Sequence, residues 1–205
     1  MKEQFYAALR TLGATEEPRL FEELLTRYQE PHRAYHTLSH VTACLGWLEW
    51  SWALAERPNE ILVALWYHDA VYEPRASDNE EQSAALARER LSGCGADPTA
   101  VDRVARLVMA TRDHVGASRD EQLIVDIDLA ILGARPALFD AYDHGIRSEY
   151  AHVPAPLYAF GRRRVLRRFL ESPVLYQTAP LRETLESPAR ANLTRALRLT
   201  RSCPW

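Results

Sequence analysis

Apolar side chains recur every three or four residues along almost the whole chain, and this spacing constrains the fold more than any other feature of the sequence. The period matches one face of an α-helix, whereas a half-buried strand alternates at every second residue. No internal repeat is present, and glycine is scarce, with 8 residues in 205. The sequence therefore predicts an all-α protein, a compact orthogonal multi-helix bundle.

The residues that begin and end each periodic segment predict ten helices. Ser77-Asp78-Asn79-Glu80 has the spacing of a capping box, and Gly93-Cys94-Gly95 closes the helix that it opens. Asp97-Pro98 begins the next helix, and Pro188 interrupts the last helix or begins a new one. No flexible linker is evident, so residues 1–205 are predicted to form a single domain. The predicted helices are 2–12, 17–29, 37–56, 59–71, 79–92, 98–114, 120–132, 135–150, 155–171 and 180–200.

Composition and charge indicate a globular chain without a strong electrostatic preference. Hydrophobic residues make up 47% and the formal net charge is -3, which gives no global attraction to nucleic acid or to an anionic membrane. Three cysteines without a C-x-x-C motif, Cys44, Cys94 and Cys203, indicate a reducing compartment. No signal peptide or membrane-length apolar run is visible. We expect a cytoplasmic monomer or homodimer with no nucleic-acid or membrane partner.

Three segments place polar side chains at apolar helical positions. His36 and His40 are four residues apart on one helix face, so they can bind a metal ion, cap the helix or fill hydrogen-bonded core positions. His68 continues an apolar stripe, and Asp69 beside it also lies among hydrophobic residues. Buried carboxylates need a partner charge, hydrogen bonds or a metal, so this pair is either a ligand pair or a hydrogen-bonded core pair.

The third segment, residues 123–133, contains two acids in an otherwise apolar run. Asp128 shares a predicted helix face with three isoleucines and points inward. Asp126 lies nearer the polar start of the helix, where it caps the helix or orients a neighbouring group. The sequence leaves open which of the two is a ligand. No lysine or arginine lies within the three segments. We therefore predict a metal site formed by His40, His68, Asp69 and Asp128.

Mixed His and Asp donors fit a divalent metal ion such as Mn, Fe, Co, Ni, Zn or Mg. Four protein ligands leave positions for water and substrate, which is typical of a catalytic site. The order of the ligands resembles the HD superfamily, whose pattern is a His, a His-Asp doublet and a distant Asp, all on helices. In particular, the chain is similar to the small stand-alone bacterial proteins described as predicted metal-dependent HD phosphohydrolases. The similar pieces are Arg33–His36 with His40, Trp66–Tyr72, Asp78–Glu80, Asp128–Gly133, Ile146–Tyr150 and Ala189–Leu193.

The resemblance implies an HD-type helical domain, with a metal-binding core at about 30–150 and C-terminal helices at 155–200 packed on it. It implies a phosphohydrolase that acts on a small phosphoester or nucleotide through metal-activated water. Asp69 would orient that water, and His114 would bind phosphate or protonate the leaving group. Glu73, one predicted helical turn after Asp69, is a candidate base. The candidate substrate-binding residues are Arg33, His36, Glu80, Arg147 and Arg162.

Several of these residues also fit structural roles. Glu73 fits a surface carboxylate, His114 a helix-end residue and Arg147 a surface or ion-paired residue. The cluster Arg162, Arg163, Arg164, Arg167 and Arg168 is either a solvated helix face or a phosphate-facing patch.

Two further functions are compatible with the same ligand set. An HD-type di-iron oxygenase is the second candidate, and His114 is the single histidine between the doublet and Asp128 that such a site would use. A non-catalytic metal- or ligand-binding HD module is the third. The residues alone therefore leave three functions open, of which the single-metal phosphohydrolase is the one we expect.

Overall fold

The computed structural model describes residues 1–202 and contains ten α-helices and no strand in that range. The predicted all-α class is confirmed, whereas Cys203 lies outside the described residues. Two short 3-10 helices, Trp52–Leu54 and Leu129–Gly133, follow α3 and α7. The α-helices are α1 Lys2–Thr11, α2 Pro18–Arg27, α3 Leu38–Trp50, α4 Pro58–Tyr67, α5 Asn79–Gly93, α6 Pro98–Asp113, α7 Arg119–Asp128, α8 Pro136–Glu149, α9 Ala155–Glu171 and α10 Ala179–Ser202.

Each predicted helix has a counterpart, but three of them end four or more residues earlier than predicted. The predicted helix 37–56 ends at Trp50, and the predicted helix 120–132 ends at Asp128. The helix predicted at 59–71 ends at Tyr67, so the His68-Asp69 pair follows it rather than lying within it. Glu73 is therefore not one helical turn from Asp69, and that part of the sequence interpretation is wrong.

The predicted helix ends are partly right. Asp97 caps α6, because its side chain accepts a hydrogen bond of 2.9 Å from the Ala100 amide. The capping box at the start of α5 does not form. Instead the Asn79 side chain bonds the backbone N–H and C=O of Glu73, which fixes the loop before the helix. Pro188 neither interrupts nor begins a helix, since α10 runs through it.

The described chain divides into two compact units, the first spanning Met1–Ile127 and the second beginning at Asp128. This division does not decide whether residues 1–205 form a single domain, and the single domain therefore stays a prediction. In the first unit α4 is the central element and packs against α1, α3, α5 and α6. Every residue from Ile61 to Tyr67 is at most 1% exposed. A helix that is apolar all round is stable in water only when neighbours cover it on every side.

The second unit is organised around the short 3-10 helix Leu129–Gly133, which packs against α8 and α10. Its carbonyl groups are bound by buried side chains: the Tyr176 hydroxyl donates to Leu129 O at 3.0 Å, and the Asn192 amide donates to Leu132 O at 2.9 Å. Within residues 1–202, no helix combines the length and the apolar character needed to cross a membrane.

Gly133 allows the 3-10 helix to approach α10 closely, and this predicts a stability effect. A Cβ at this position would lie 2.8 Å from Cβ and 2.9 Å from the backbone oxygen of Leu185. Gly133→Ala should lower the free energy of unfolding by about 1–3 kcal/mol through overpacking. Urea denaturation measures this, with Gly161→Ala as the control, because nothing lies within 4 Å of a Cβ at Gly161. Equal stability of the two variants would contradict the close approach.

Candidate metal centre

The first two donors of the site come from α3. His40 lies in the first turn of this helix, and its backbone N–H bonds to Thr37 O at 3.0 Å. Cys44 follows one helical turn later, so both side chains project from the same helix face. His40 is 6% exposed and Cys44 is 2% exposed. The start of α3 therefore brings an imidazole and a thiol into the interior of the first unit.

The next two donors follow the end of α4. The helix ends in a buried region, so its last carbonyl groups need partners from within the protein. His68 supplies one, since its Nδ1 lies 2.9 Å from Leu65 O, and the Tyr28 hydroxyl donates to Trp66 O at 3.0 Å. A carbonyl oxygen only accepts, so Nδ1 of His68 carries a proton, and Nε2 is the ring nitrogen that faces the site.

Arg33 and Ser83 hold the turn that contains Asp69. The Arg33 guanidinium donates to Asp69 O at 2.7 Å and to Ala70 O at 3.2 Å, and its Nε donates to a Glu30 carboxylate oxygen at 2.9 Å. The Arg33 side chain is fully buried. Ser83 receives a hydrogen bond from the Val71 amide at 3.0 Å. These bonds fix the backbone of the turn and leave the Asp69 carboxylate to face the histidines.

Three donor atoms converge in the first unit. Nε2 of His40 lies 3.1 Å from Nε2 of His68. One Asp69 carboxylate oxygen lies 3.0 Å from Nε2 of His68 and 3.6 Å from Nε2 of His40. Ligands bound to one cation at about 2.1 Å lie about 3.0–3.5 Å from one another. The three separations are therefore close to those of a metal coordination sphere.

The electrostatics of this arrangement favour a cation. Nε2 of His68 faces the Asp69 carboxylate at 3.0 Å, so this contact is favourable only when Nε2 carries a proton or binds a metal cation. A proton on His68 relieves one contact, whereas a divalent cation relieves all three. The bond from His68 Nδ1 to a backbone carbonyl is the usual outer partner of a metal-binding histidine, and the Tyr35 hydroxyl takes the same place beside His40 Nδ1 at 3.0 Å.

Asp128 belongs to an overlapping group of donors, which shares the two histidines but does not include Asp69. It is the last residue of α7, whose preceding residues belong to the first unit. Ligand atoms of His40, Cys44, His68 and Asp128 all lie within 4.8 Å of one another, and the first three residues are buried. Asp126 is fully buried in the same helix but is not part of this group. A His-Cys-His-Asp group of this kind can hold a metal ion.

The environment of Asp69 keeps its carboxyl group ionised. Burial disfavours the charged form, but three imidazoles outweigh this effect and hold the pKa of Asp69 well below its usual range. In order of their effect, these imidazoles belong to His68, His36 and His40. An ionised, largely buried carboxylate beside two imidazole nitrogens is suited to binding a divalent cation.

Two more of the predicted site residues, His36 and Glu80, interact electrostatically with Asp69, and His114 interacts with Glu80. His36 is half-buried and its ring packs 4.2 Å from the ring of Tyr72. Burial raises the pKa of Glu80; the negative charge of Asp69 raises it further and the charge of His114 lowers it. The Glu80 carboxyl group is therefore close enough to Asp69 and to His114 to interact electrostatically with each of them. His114 ends α6 in the left-handed region, with φ 55°. A residue other than glycine in this conformation is strained, which is common at functional sites.

The remaining predicted residues make contacts of their own. Glu73 is exposed and accepts a hydrogen bond of 3.1 Å from the Arg75 amide. The Arg33 guanidinium donates hydrogen bonds to the turn that contains Asp69, as described above. Arg147 and Arg162 lie in the second unit, where Arg147 donates to Tyr150 O at 2.7 Å and Arg162 pairs with Asp143 at 2.7 Å. Their roles as a base and as phosphate ligands stay predictions.

Sequence reasoning missed Cys44 and the outer partners of the histidines. One signal for Cys44 is present, because it lies four residues after His40 and therefore on the same helix face. No signal identifies Tyr35 or the Leu65 carbonyl, since those contacts arise from the way in which α3 and the end of α4 meet.

No protein-family model, curated protein or solved structure matches this chain. The fold class and the donor cluster are therefore known from the structure alone, and a function has to be inferred from the chemistry of the site.

The contacts of Arg33 predict a structural role that a phosphate ligand would not have. Arg33→Lys cannot reproduce the forked hydrogen bonds to two carbonyl groups and Glu30, so the free energy of unfolding should fall by about 1–3 kcal/mol. Urea denaturation in the presence of a chelator measures this. Arg57→Lys is the control, because the Arg57 side chain is 50% exposed and pairs with its neighbour Glu56. An Arg33→Lys chain of unchanged stability that binds phosphate more weakly would instead favour the substrate role.

Proposed function

We propose that this chain is a metal-dependent phosphohydrolase of the HD type, acting on a small phosphoester or nucleotide. The observation that carries the proposal is the convergence of His40 Nε2, His68 Nε2 and an Asp69 carboxylate oxygen within 3.6 Å of one another. The order of these residues and Asp128 in the sequence, which resembles the HD pattern, adds support. A protein that only binds a ligand does not need two imidazole nitrogens beside the partly accessible carboxylate of Asp69, so this arrangement favours an enzyme.

A bound divalent cation supplies Lewis acidity toward a phosphoryl oxygen and makes a water nucleophile accessible at neutral pH. The protein residues have distinct tasks around it. His40 and His68 present their Nε2 lone pairs, and Asp69 presents an ionised carboxylate. The Asp69 side chain is 16% exposed, against 4% for His40 and 1% for His68. Substrate therefore approaches from the Asp69 side of the centre.

Two further imidazoles are suited to contact a phosphorylated substrate. His36 is half-buried and its charge acts on Asp69, which supports a role for it beside the accessible Asp69 carboxylate. His114 is also half-buried, and its charge acts on Glu80. Imidazoles titrate near neutral pH, so they can donate a proton to a phosphate oxygen or to a leaving group. We assign the phosphate contact to His36 and the proton to the leaving group to His114.

The function is tested by measuring phosphate release from simple phosphomonoesters, phosphodiesters and nucleotides with Mn, Co, Ni, Zn or Mg added to metal-free protein. We expect turnover with at least one metal and none with excess chelator. Asp69→Asn should reduce kcat at least about 100-fold, because the amide does not supply the negative charge. Asp102→Asn is the control, since the Asp102 side chain is 65% exposed.

Three other results of this experiment would change the conclusion. Two irons per chain with a mixed-valence signal and oxygen consumption would establish the oxygenase function instead. Thermal stabilisation by a ligand, with no turnover of any compound by any metal, would establish a binding module. Equal turnover by Asp69→Asn and the unmodified chain would place the reaction elsewhere on the protein.

His114 provides a test of the proton donor that is separate from metal binding. His114→Asn should retain stability within about 0.5 kcal/mol, because asparagine tolerates the left-handed conformation. It should lower kcat about 100-fold or more. Esters with good leaving groups should be affected less, since they need no proton. His144→Asn, at an exposed position of α8, is the control. A loss that is independent of the leaving group would contradict this assignment.

A further inference from the structure

Cys44 contributes a sulfur to a group of donors that otherwise consists of imidazoles and carboxylates. Its Sγ lies 3.8 Å from both ring nitrogens of His40. It belongs with His40, His68 and Asp128 to the set whose ligand atoms lie within 4.8 Å of one another. The residue is buried, so the sulfur faces the protein interior rather than solvent.

The separations agree with shared binding of one cation. A thiolate binds zinc at about 2.3 Å and an imidazole binds it at about 2.1 Å, so the two atoms lie about 3.6 Å apart at a tetrahedral angle. The observed 3.8 Å needs only a slightly wider angle. Cys94 is the natural comparison: it is also buried, but it follows α5 and does not belong to the donor group.

We infer that the Cys44 thiolate is a ligand of the metal centre and makes it select thiophilic cations, such as Zn, Co or Fe, over Mg. Thiolates bind these metals strongly, whereas Mg prefers oxygen donors. Binding replaces the proton on sulfur, which leaves to solvent. The inference rests on the metal centre of the proposed function but not on the hydrolysis, and it narrows the metals that the His and Asp donors alone would accept.

Cobalt is a direct probe, because a cobalt–thiolate bond gives a charge-transfer absorption in the near ultraviolet that nitrogen and oxygen ligands do not give. Metal-free full-length chain is titrated with Co while the visible ligand-field bands and the near-ultraviolet band are followed. We expect the unmodified chain to show both features. Cys44→Ser should lose the near-ultraviolet band, whereas Cys94→Ser should retain it.

Metal competition gives a second measurement. Zn and Mn compete for the same chain, and the bound metals are quantified after equilibrium dialysis. Cys44→Ser should lower the preference for Zn over Mn at least about tenfold, the effect expected from weakening a metal ligand. Cys94→Ser should leave the preference unchanged.

Two results would overturn the inference, both obtained where visible ligand-field bands show that cobalt is bound. In the first, the unmodified chain lacks the near-ultraviolet band. In the second, Cys44→Ser keeps that band. In either case hydrolysis with any metal still supports the proposed function. Absence of cobalt binding altogether would also overturn the inference, whereas turnover with another metal would still support the proposed function. Should Cys44→Ser fail to fold, X-ray absorption at the zinc edge of Cys94→Ser decides the question without it. One sulfur neighbour is expected, and a sphere of only nitrogen and oxygen contradicts the inference.

Discussion

The end of α4 has to be satisfied from within the protein, because this helix is apolar on every face and terminates in the buried interior of the first unit. Carbonyl groups there have no water to bind, and each one left without a donor would cost about 1–3 kcal/mol. The donors are the Tyr28 hydroxyl, the His68 ring and the Arg33 guanidinium. The same solution fixes the tautomer of His68 and the direction of Asp69. The structural requirement of a buried helix end thus also orients the donors of the candidate metal centre.

This arrangement explains why a histidine and an aspartate can face each other in the interior. His68 donates its Nδ1 proton to Leu65 O, so Nε2, which faces Asp69, binds either a second proton or a metal cation. A second imidazole nitrogen, Nε2 of His40, points at the same space. A proton on His68 satisfies only part of this group, whereas one divalent cation between the three donor atoms satisfies all of them, and this favours a metal centre over a structural ion pair.

The helices could be predicted from the sequence because periodicity is a local property, and each predicted helix has a counterpart. Their ends could not be predicted with the same accuracy. His68 continues the apolar stripe of α4, but the helix ends before it because Arg33, far away in sequence, binds the next two carbonyl groups. The capping box does not form for a similar reason, since Asn79 binds the preceding loop instead. Cys44 could not be identified as a donor, because a cysteine in an apolar stripe is indistinguishable from a core residue until His68 is placed beside α3.

The charge of the centre has a consequence for the substrate. Asp128 and a Cys44 thiolate would carry two negative charges in their donor group, and the ionised Asp69 beside the same histidines carries a third, so a bound divalent cation would leave a net charge of about -1. Such a centre repels an anionic phosphate unless positive charge lies beside it. The Arg33 guanidinium already donates to Glu30 and to two carbonyl groups of the turn, so a role in phosphate binding would compete with these contacts. The half-buried His36, whose charge already acts on Asp69, is placed to supply it. If the proposed function holds, phosphate binding therefore depends on positive charge beside the centre as well as on the metal ligands.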